Sequence, residues 1–262
     1  MSVYEAILLG IVQGLTEFFP VSSSGHLVLA EALLNVNPPG VVFEVMVHLA
    51  TLCAVLVLYR RRIVELILGG VRRRPADLRY LGMLGVASLP AALLGTTLSG
   101  AIAGVFDLPL VVAVNLLLTG GVVYSIRWLV ADSDGPDPGW KGSLRVGIAQ
   151  ALALLPGISR SGLTVAAALH AGTKRETAAE FSFLLSVPAI LGAAAFQIPK
   201  LDGAGAGVGG GELLAAASSA FFAGVVAILL FLRWLSSGCF HRFAFYCWTV
   251  GGAYIVYALV TT

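Results

Sequence analysis

Hydrophobic positions along this 262-residue chain fall in long unbroken blocks rather than in the alternating or one-sided patterns of soluble strands and helices. Six blocks approach the roughly 20 apolar residues that a helix needs to cross a bilayer: 41–59, 80–101, 108–130, 177–198, 212–232 and 243–260. Four further apolar pieces, 4–19, 27–34, 144–155 and 163–171, are too short to cross. They form two pairs. One pair is joined at Pro20-Val21-Ser22-Ser23-Ser24-Gly25, the other at Pro156-Gly157-Ile158-Ser159-Arg160-Ser161-Gly162. Two half-length helices joined by such a break predict a re-entrant hairpin. Irregular backbone at membrane depth persists only where protein or a wet cavity satisfies it. The competing reading is one long kinked span, but Ser/Gly clusters this dense break helices rather than bend them.

The two hairpins are related. A single offset lays Gly10-Ile11-Val12-Gln13-Gly14-Leu15 on Gly147-Ile148-Ala149-Gln150-Ala151-Leu152, and Ser22-Ser23-Ser24-Gly25 on Ser159-Arg160-Ser161-Gly162. An offset one residue smaller lays Glu44 on Glu180. The predicted fold class is therefore an all-α polytopic membrane protein, with six transmembrane helices plus two re-entrant helical hairpins. Residues 1–135 form one repeat (hairpin about 3–35) and residues 136–262 the other (hairpin about 143–172), in a single membrane domain. Each repeat holds three spans, an odd number, so the two insert with inverted topology, which places a site where the breaks meet near mid-membrane.

Charge sets the orientation. With six crossings, all but two of the 16 Lys and Arg residues lie on one side, including Arg60, Arg61, Arg62, Arg72, Arg73, Arg74 and Arg79 in a loop after the first span. The exceptions are Lys200, on the far side, and Arg160, inside a break. The basic side is expected to be cytoplasmic. Composition agrees with a bilayer setting. The chain is 58% hydrophobic and 11% charged, against roughly 25% charged in soluble domains. Net charge is only +2, a total that says nothing about nucleic acid, and in a bilayer setting no nucleic-acid partner is expected. The three cysteines, Cys53, Cys239 and Cys247, have neither metal-ligand spacing nor an even count, and read as small apolar fillers. Glu5 sits where a leader would carry Lys or Arg, so the first helix is expected to belong to the mature fold.

The breaks carry the chemistry. At Ser159-Arg160-Ser161-Gly162 a helix begins, with free N–H groups and the positive end of its dipole beside two hydroxyls and a guanidinium. That combination suits the oxygens of a phosphate. An arginine at mid-span costs about 2.5–3.5 kcal/mol, which a buried anionic ligand offsets. An ion pair of Arg160 with Glu17 or Glu180 that merely ties the halves together is the alternative. The first break lacks the arginine but adds His26, which can move a proton or attack phosphorus. Gln13 and Glu17, four apart, share the helix face that leads into the serines. A carboxylate there needs a cation or a proton, and beside a phosphate Mg²⁺ or Ca²⁺ is the natural partner. Thr164 lies one turn beyond Arg160, and Glu44, His48 and Glu180 are expected as a surrounding layer. His170 and His241 read as ordinary residues at span ends.

These breaks resemble the signatures of the undecaprenyl-diphosphate phosphatase (bacitracin-resistance) family. One signature is a Glu/Gln-x-x-x-Glu pattern leading into Pro-Val-Ser-Ser-x-Gly-His, matched from Gln13 and Glu17 to His26. Another is Pro-Gly-x-Ser-Arg-Ser-Gly-x-Thr, matched from Pro156 to Thr164, and the stretch from Glu180 to Pro188 is also similar. The resemblance implies hydrolysis of a polyprenyl diphosphate to the monophosphate and phosphate with a divalent cation, recycling a lipid carrier for cell-envelope glycan synthesis. It implies a plasma-membrane protein whose site opens to the extracytoplasmic side, with a homodimer left open. Carried over by position, Gln13 and Glu17 hold Mg²⁺ or Ca²⁺. Arg160, Ser159, Ser161, Gly162 and Thr164, with Ser22, Ser24 and Gly25, hold the diphosphate. Glu17 and Arg160 serve catalysis, and Ser23 or His26 is the nucleophile or its proton partner. Gln13 carries one charge fewer than the family's other choice, and His48 stands where many members have Gln.

The rival from another class is a lipid-phosphate flippase or anion transporter built on the same inverted repeat. Phosphate release by detergent-purified protein separates the two. The type 2 phosphatidic acid phosphatases also carry Ser-Gly-His, but they need an upstream Lys-x₆-Arg-Pro and a His where Ala166 stands.

Overall fold

The computed structural model describes residues 1–34, 42–106, 108–128, 135–197 and 209–261. Lys200 and the ends of several expected spans lie outside these residues. Among the described residues the regular structure is helical, apart from one isolated bridge between Gly135 and Thr173. A chain this apolar must satisfy its backbone internally, and helices do so without a neighbour.

The first hairpin is α1 (Val3–Phe18) and α2 (Ser23–Leu34). Then come α3 (Val42–Leu58), α4 (Arg60–Val71), α5 (Pro75–Thr97), α6 (Ser99–Phe106) and α7 (Pro109–Ser125). The second hairpin is α8 (Gly139–Leu152) and α9 (Arg160–His170), followed by α10 (Arg175–Gln197), α11 (Gly210–Ser236) and α12 (Phe243–Thr261). Four stretches are long and apolar enough to cross a membrane: Pro75–Thr97, Leu110–Trp128, Arg175–Gln197 and Gly210–Ser236. A fifth joins them if α3 and α4, bent by 77° at their junction, count as one broken span. The protein is thus an all-helical, multi-pass membrane protein.

Two sequence expectations are corrected. The arginine-rich stretch after the first span is not a loop: most of it is α4, whose Leu66 and Gly69 pack inward. Its apolar residues recur with helical period between the arginines, and that period overrides the charge signal. The span expected at 80–101 starts earlier, with Pro75 in the first turn of α5, and the chain turns at Leu98 into the separate helix α6.

Small residues set the packing. Helix α1 lies along α11, and α8 lies along α5. A Cβ on Gly10 would collide with the Ala216 carbonyl and the Ser219 hydroxyl, and one on Gly14 would sit 2.5 Å from the Ala220 carbonyl. A Cβ on Gly147 would come within 2.7 Å of the Ala87 carbonyl. Close backbone approach of this kind is how helices associate where lipid removes the hydrophobic drive. The main core is aromatic. Phe183 meets Phe18, Phe231 and Tyr59 with ring centroids 4.9–5.9 Å apart, and Phe18 is the last residue of α1 before the first hairpin's break.

Candidate functional site

Helix α1 is started by a capping box, Ser2 with Glu5, and stops at Phe19 because Pro20 follows. The chain turns through Ser22, whose φ of +69° is left-handed, and restarts as α2 at Ser23. Such backbone in a non-glycine residue costs about 1–3 kcal/mol and persists only where its surroundings hold it. The second break turns through Gly157 (φ +87°), whose missing Cβ lets it press on the Val112 carbonyl of α7. Helix α9 then begins with Ser159 as its N-cap, the hydroxyl accepting from the Gly162 N–H at 3.2 Å.

The two breaks meet. A Cβ on Gly162 would lie 3.0 Å from the Pro20 side chain, and one on Gly25 would lie 3.7 Å from Gly157 Cα. The Ser161 hydroxyl donates to the Phe19 carbonyl at 3.1 Å. Across this junction Arg160 donates to Glu17 Oε1 at 2.6 Å, with the carboxylate 7% and the guanidinium 14% exposed.

Glu17 is the hub. Its Oε2 accepts from the Ser23 hydroxyl at 2.7 Å and from the Gln13 amide at 3.1 Å, and His48 Nε2 lies 3.7 Å away. The Gln13 side chain is fully buried and its Oε1 has no hydrogen-bond partner. An orphaned buried acceptor beside a carboxylate and a hydroxyl is an oxygen set of the kind Mg²⁺ or Ca²⁺ takes. Among the described residues no group of three or more His, Cys, Asp or Glu gathers for a metal, so ligand phosphate would have to complete such a sphere.

On the arginine side, Thr164 accompanies Arg160 as expected. Its hydroxyl bonds the Arg160 carbonyl at 2.7 Å and shares a 2.6 Å contact with Ser182. Arg160 also reaches towards the Ser182 carbonyl, at 3.5 Å. Ser159 and Ser161 hydroxyls lie 3.2 Å apart, and Ser22 and Ser24 hydroxyls 3.3 Å apart. His26 Nδ1 contacts the Ser22 carbonyl and Nε2 contacts the Tyr246 hydroxyl, each at 2.8 Å, with the two rings stacked. A carbonyl only accepts, so Nδ1 carries the proton and Nε2 accepts from Tyr246.

Of the expected surrounding layer, only His48 joins the hub. Glu44 is exposed one turn before it on α3. Glu180 is engaged elsewhere: its carboxylate takes the Arg62 guanidinium at 3.0 Å and the Tyr80 hydroxyl at 3.3 Å. The Ser182 side chain, two residues on, faces Thr164 of α9 instead, because two helical steps turn a side chain through about 200°.

Several supporting residues escaped the sequence reading. Asn115 on α7 donates to the Pro156 carbonyl at 2.7 Å. Thr119, one turn on, donates to the Gly157 carbonyl and accepts from the Ser159 N–H, both at 3.0 Å. Cys247 lies 3.4 Å from the Pro20 carbonyl. A buried Asn and Thr four apart in an otherwise apolar span were the available signal.

The sequence matches the family model described as "Bacitracin resistance protein BacA" over residues 6–253. Relatives named "Undecaprenyl-diphosphatase" include a Desulforapulum autotrophicum protein, 36% identical with 96% of each chain covered. A Desulforudis audaxviator protein is 39% identical with 99% of each covered, and one from Methanosphaera stadtmanae is 36% identical, also with 99% of each covered.

Proposed function

The chain belongs to the bacitracin resistance protein BacA family, and we propose that it hydrolyses undecaprenyl diphosphate to undecaprenyl monophosphate and inorganic phosphate within the membrane. The observation that carries this reading is the Arg160–Glu17 contact, which joins an anion-binding helix start to a carboxylate already bonded to a serine hydroxyl. The transport alternative draws no support from the three relatives above, each named a diphosphatase.

The residues divide the work. Arg160 and the first N–H groups of α9 and α2 bind the diphosphate oxygens while the polyprenyl tail stays in lipid. On substrate entry the guanidinium moves part of its bonding from Glu17 to phosphate, and the carboxylate gains basicity. Glu17 takes the Ser23 proton as Ser23 Oγ bonds to the terminal phosphorus and the bridging P–O bond breaks, releasing the lipid monophosphate. Water then attacks the phosphoserine phosphorus as the Ser23 Oγ–P bond breaks; Glu17, having passed its first proton to the leaving product, takes one from this water and returns it to Ser23 Oγ, freeing inorganic phosphate. In this reading His26 is assigned to proton exchange rather than to attack on phosphorus; what supports the choice is that both of its ring nitrogens are already engaged, by the Ser22 carbonyl and Tyr246. A divalent cation held by Gln13 Oε1 and Glu17 would neutralise phosphate charge.

The same reading includes the architecture. We count α3 and α12 with the four span-length helices as six crossings. The hairpins α1–α2 and α8–α9 are then re-entrant halves of an inverted repeat, and the site opens away from the basic, cytoplasmic side of the plasma membrane. The exchange of partners, α1 on α11 and α8 on α5, supports it.

The test is phosphate release from C55 diphosphate by purified protein in detergent, with EDTA and with Mg²⁺ or Ca²⁺ restored. Release that needs added cation is expected. No release under any cation would reject the enzyme, and full activity in chelator would reject the metal.

A further inference from the structure

Helix α4 has no part in the chemistry above, yet it presents two distinct faces. Leu66 and Gly69 are buried, with the Asp77 side chain pressed on Gly69. Arg62, also on this side, pairs with Glu180 and lies over the Tyr80 ring at 4.9 Å. The opposite face exposes Val64, Ile67, Leu68 and Val71, between 47% and 77% accessible, at the spacing of a single helical stripe. Exposed arginines flank it: Arg60 and Arg61 at one end, Arg72, Arg73 and Arg74 at the other.

We infer that α4 is an interfacial helix that docks on anionic lipid headgroups at the basic face of the membrane. Its axis departs from the apolar α3 by 77°, so when α3 crosses the bilayer α4 runs nearly along the surface. A helix lying there buries an apolar stripe at the headgroup–acyl boundary and holds cations level with the phosphates. A zwitterionic surface satisfies the stripe but leaves the arginine clusters without counter-charge. Within the helix only Glu65 opposes them, and it is already 3.7 Å from Arg62. A protein partner would need acidic groups about 18 Å apart, one set at each end of an apolar ridge about 10 Å long, whereas an anionic bilayer supplies both features everywhere.

The experiment uses the full chain in vesicles of phosphatidylcholine with phosphatidylglycerol. A fluorophore is placed on the stripe by Leu68→Trp, an exposed position, and wild-type emission is subtracted. Either lipid is brominated on its acyl chains. Each engaged arginine enriches anionic lipid by about fivefold, so quenching by brominated phosphatidylglycerol is expected to exceed that by brominated phosphatidylcholine. The excess should vanish in the Leu68→Trp protein also carrying Arg72→Gln, Arg73→Gln and Arg74→Gln, and should shrink at about 0.5 M salt. Equal quenching by the two lipids, or none by either, overturns the inference. So does quenching that falls as protein-to-lipid ratio rises, because a second copy would then cover the stripe.

Discussion

Removing the Arg160 guanidinium separates a catalytic group from a mere tie between helices. In Arg160→Ala two charge-assisted contacts to phosphate are lost, each worth about 1.5–3 kcal/mol. Together they amount to about 3–6 kcal/mol, or roughly 10²- to 10⁴-fold in turnover. The same change strands Glu17, 7% exposed and bonded at 2.6 Å in the intact protein. Stripping one partner from a buried pair costs about 3–5 kcal/mol of stability. The Ser23, Gln13 and His48 contacts to the other oxygen hold that cost towards the lower end. Loss of activity alone is therefore ambiguous, and the second arm is Glu17→Gln combined with Arg160→Ala. A neutral amide restores the charge balance of the pocket, so thermal unfolding in detergent should return towards wild type while phosphate release stays absent. Arg160→Ala that keeps turnover within about tenfold of wild type would refute the reasoning. So would a double variant that recovers activity along with stability, since the pair would then be structural only.

Three further outcomes follow from the geometry. Ser23→Ala should abolish release and leave no phosphorylated intermediate on acid quench, whereas His26→Gln should slow turnover with the intermediate still trapped; the reverse pattern would make His26 the nucleophile. Asn115→Leu should leave the Pro156 carbonyl unpaired at a cost of about 1–3 kcal/mol, read as a lower unfolding temperature with a raised KM because the second break is loosened. Gly147→Ala should destabilise by about 1–3 kcal/mol as its Cβ pushes on the Ala87 carbonyl, while Gly121→Ala, with open space at that point, should be neutral or slightly stabilising; equal unfolding temperatures would show that α8 and α5 can part without penalty.

The breaks were legible because polar clusters are expensive in an apolar chain and demand a partner. Charge alone offered Arg160 two acidic partners, Glu17 and Glu180, and the fold takes the one 143 residues away. The hydroxyl neighbours of this pair followed from the positions of the helix starts. What escaped the sequence was rotation about helix axes. Glu180 and Ser182 look equally close to the second break in sequence, yet their side chains point to opposite sides of α10, Glu180 to Arg62 and Ser182 to Thr164 of the second hairpin. Glu44 and His48 share a face of α3, but one helical turn, about 5.4 Å, keeps Glu44 off the hub. Asn115 and Thr119, four apart in an apolar span, gave a signal without a partner, because only the second hairpin's position supplies the carbonyls they hold.

The proposed repeat gives these placements a logic that neither half shows alone. Its offset sets Ser23 against Arg160, Glu17 against Leu154 and His26 against Leu163. The first break kept the carboxylate, the hydroxyl and the imidazole, and the second kept the guanidinium. Two identical breaks with a carboxylate each would bury like charges a few ångströms apart, and two with an arginine each would do the same with cations. Either arrangement raises the cost of the empty pocket. Divergence to one acid and one base lets the halves neutralise each other at 2.6 Å before the substrate arrives. On the proposed mechanism that pre-formed pair also primes the site: an anionic phosphate would compete for the arginine, and what it would displace is the carboxylate that Ser23 already touches.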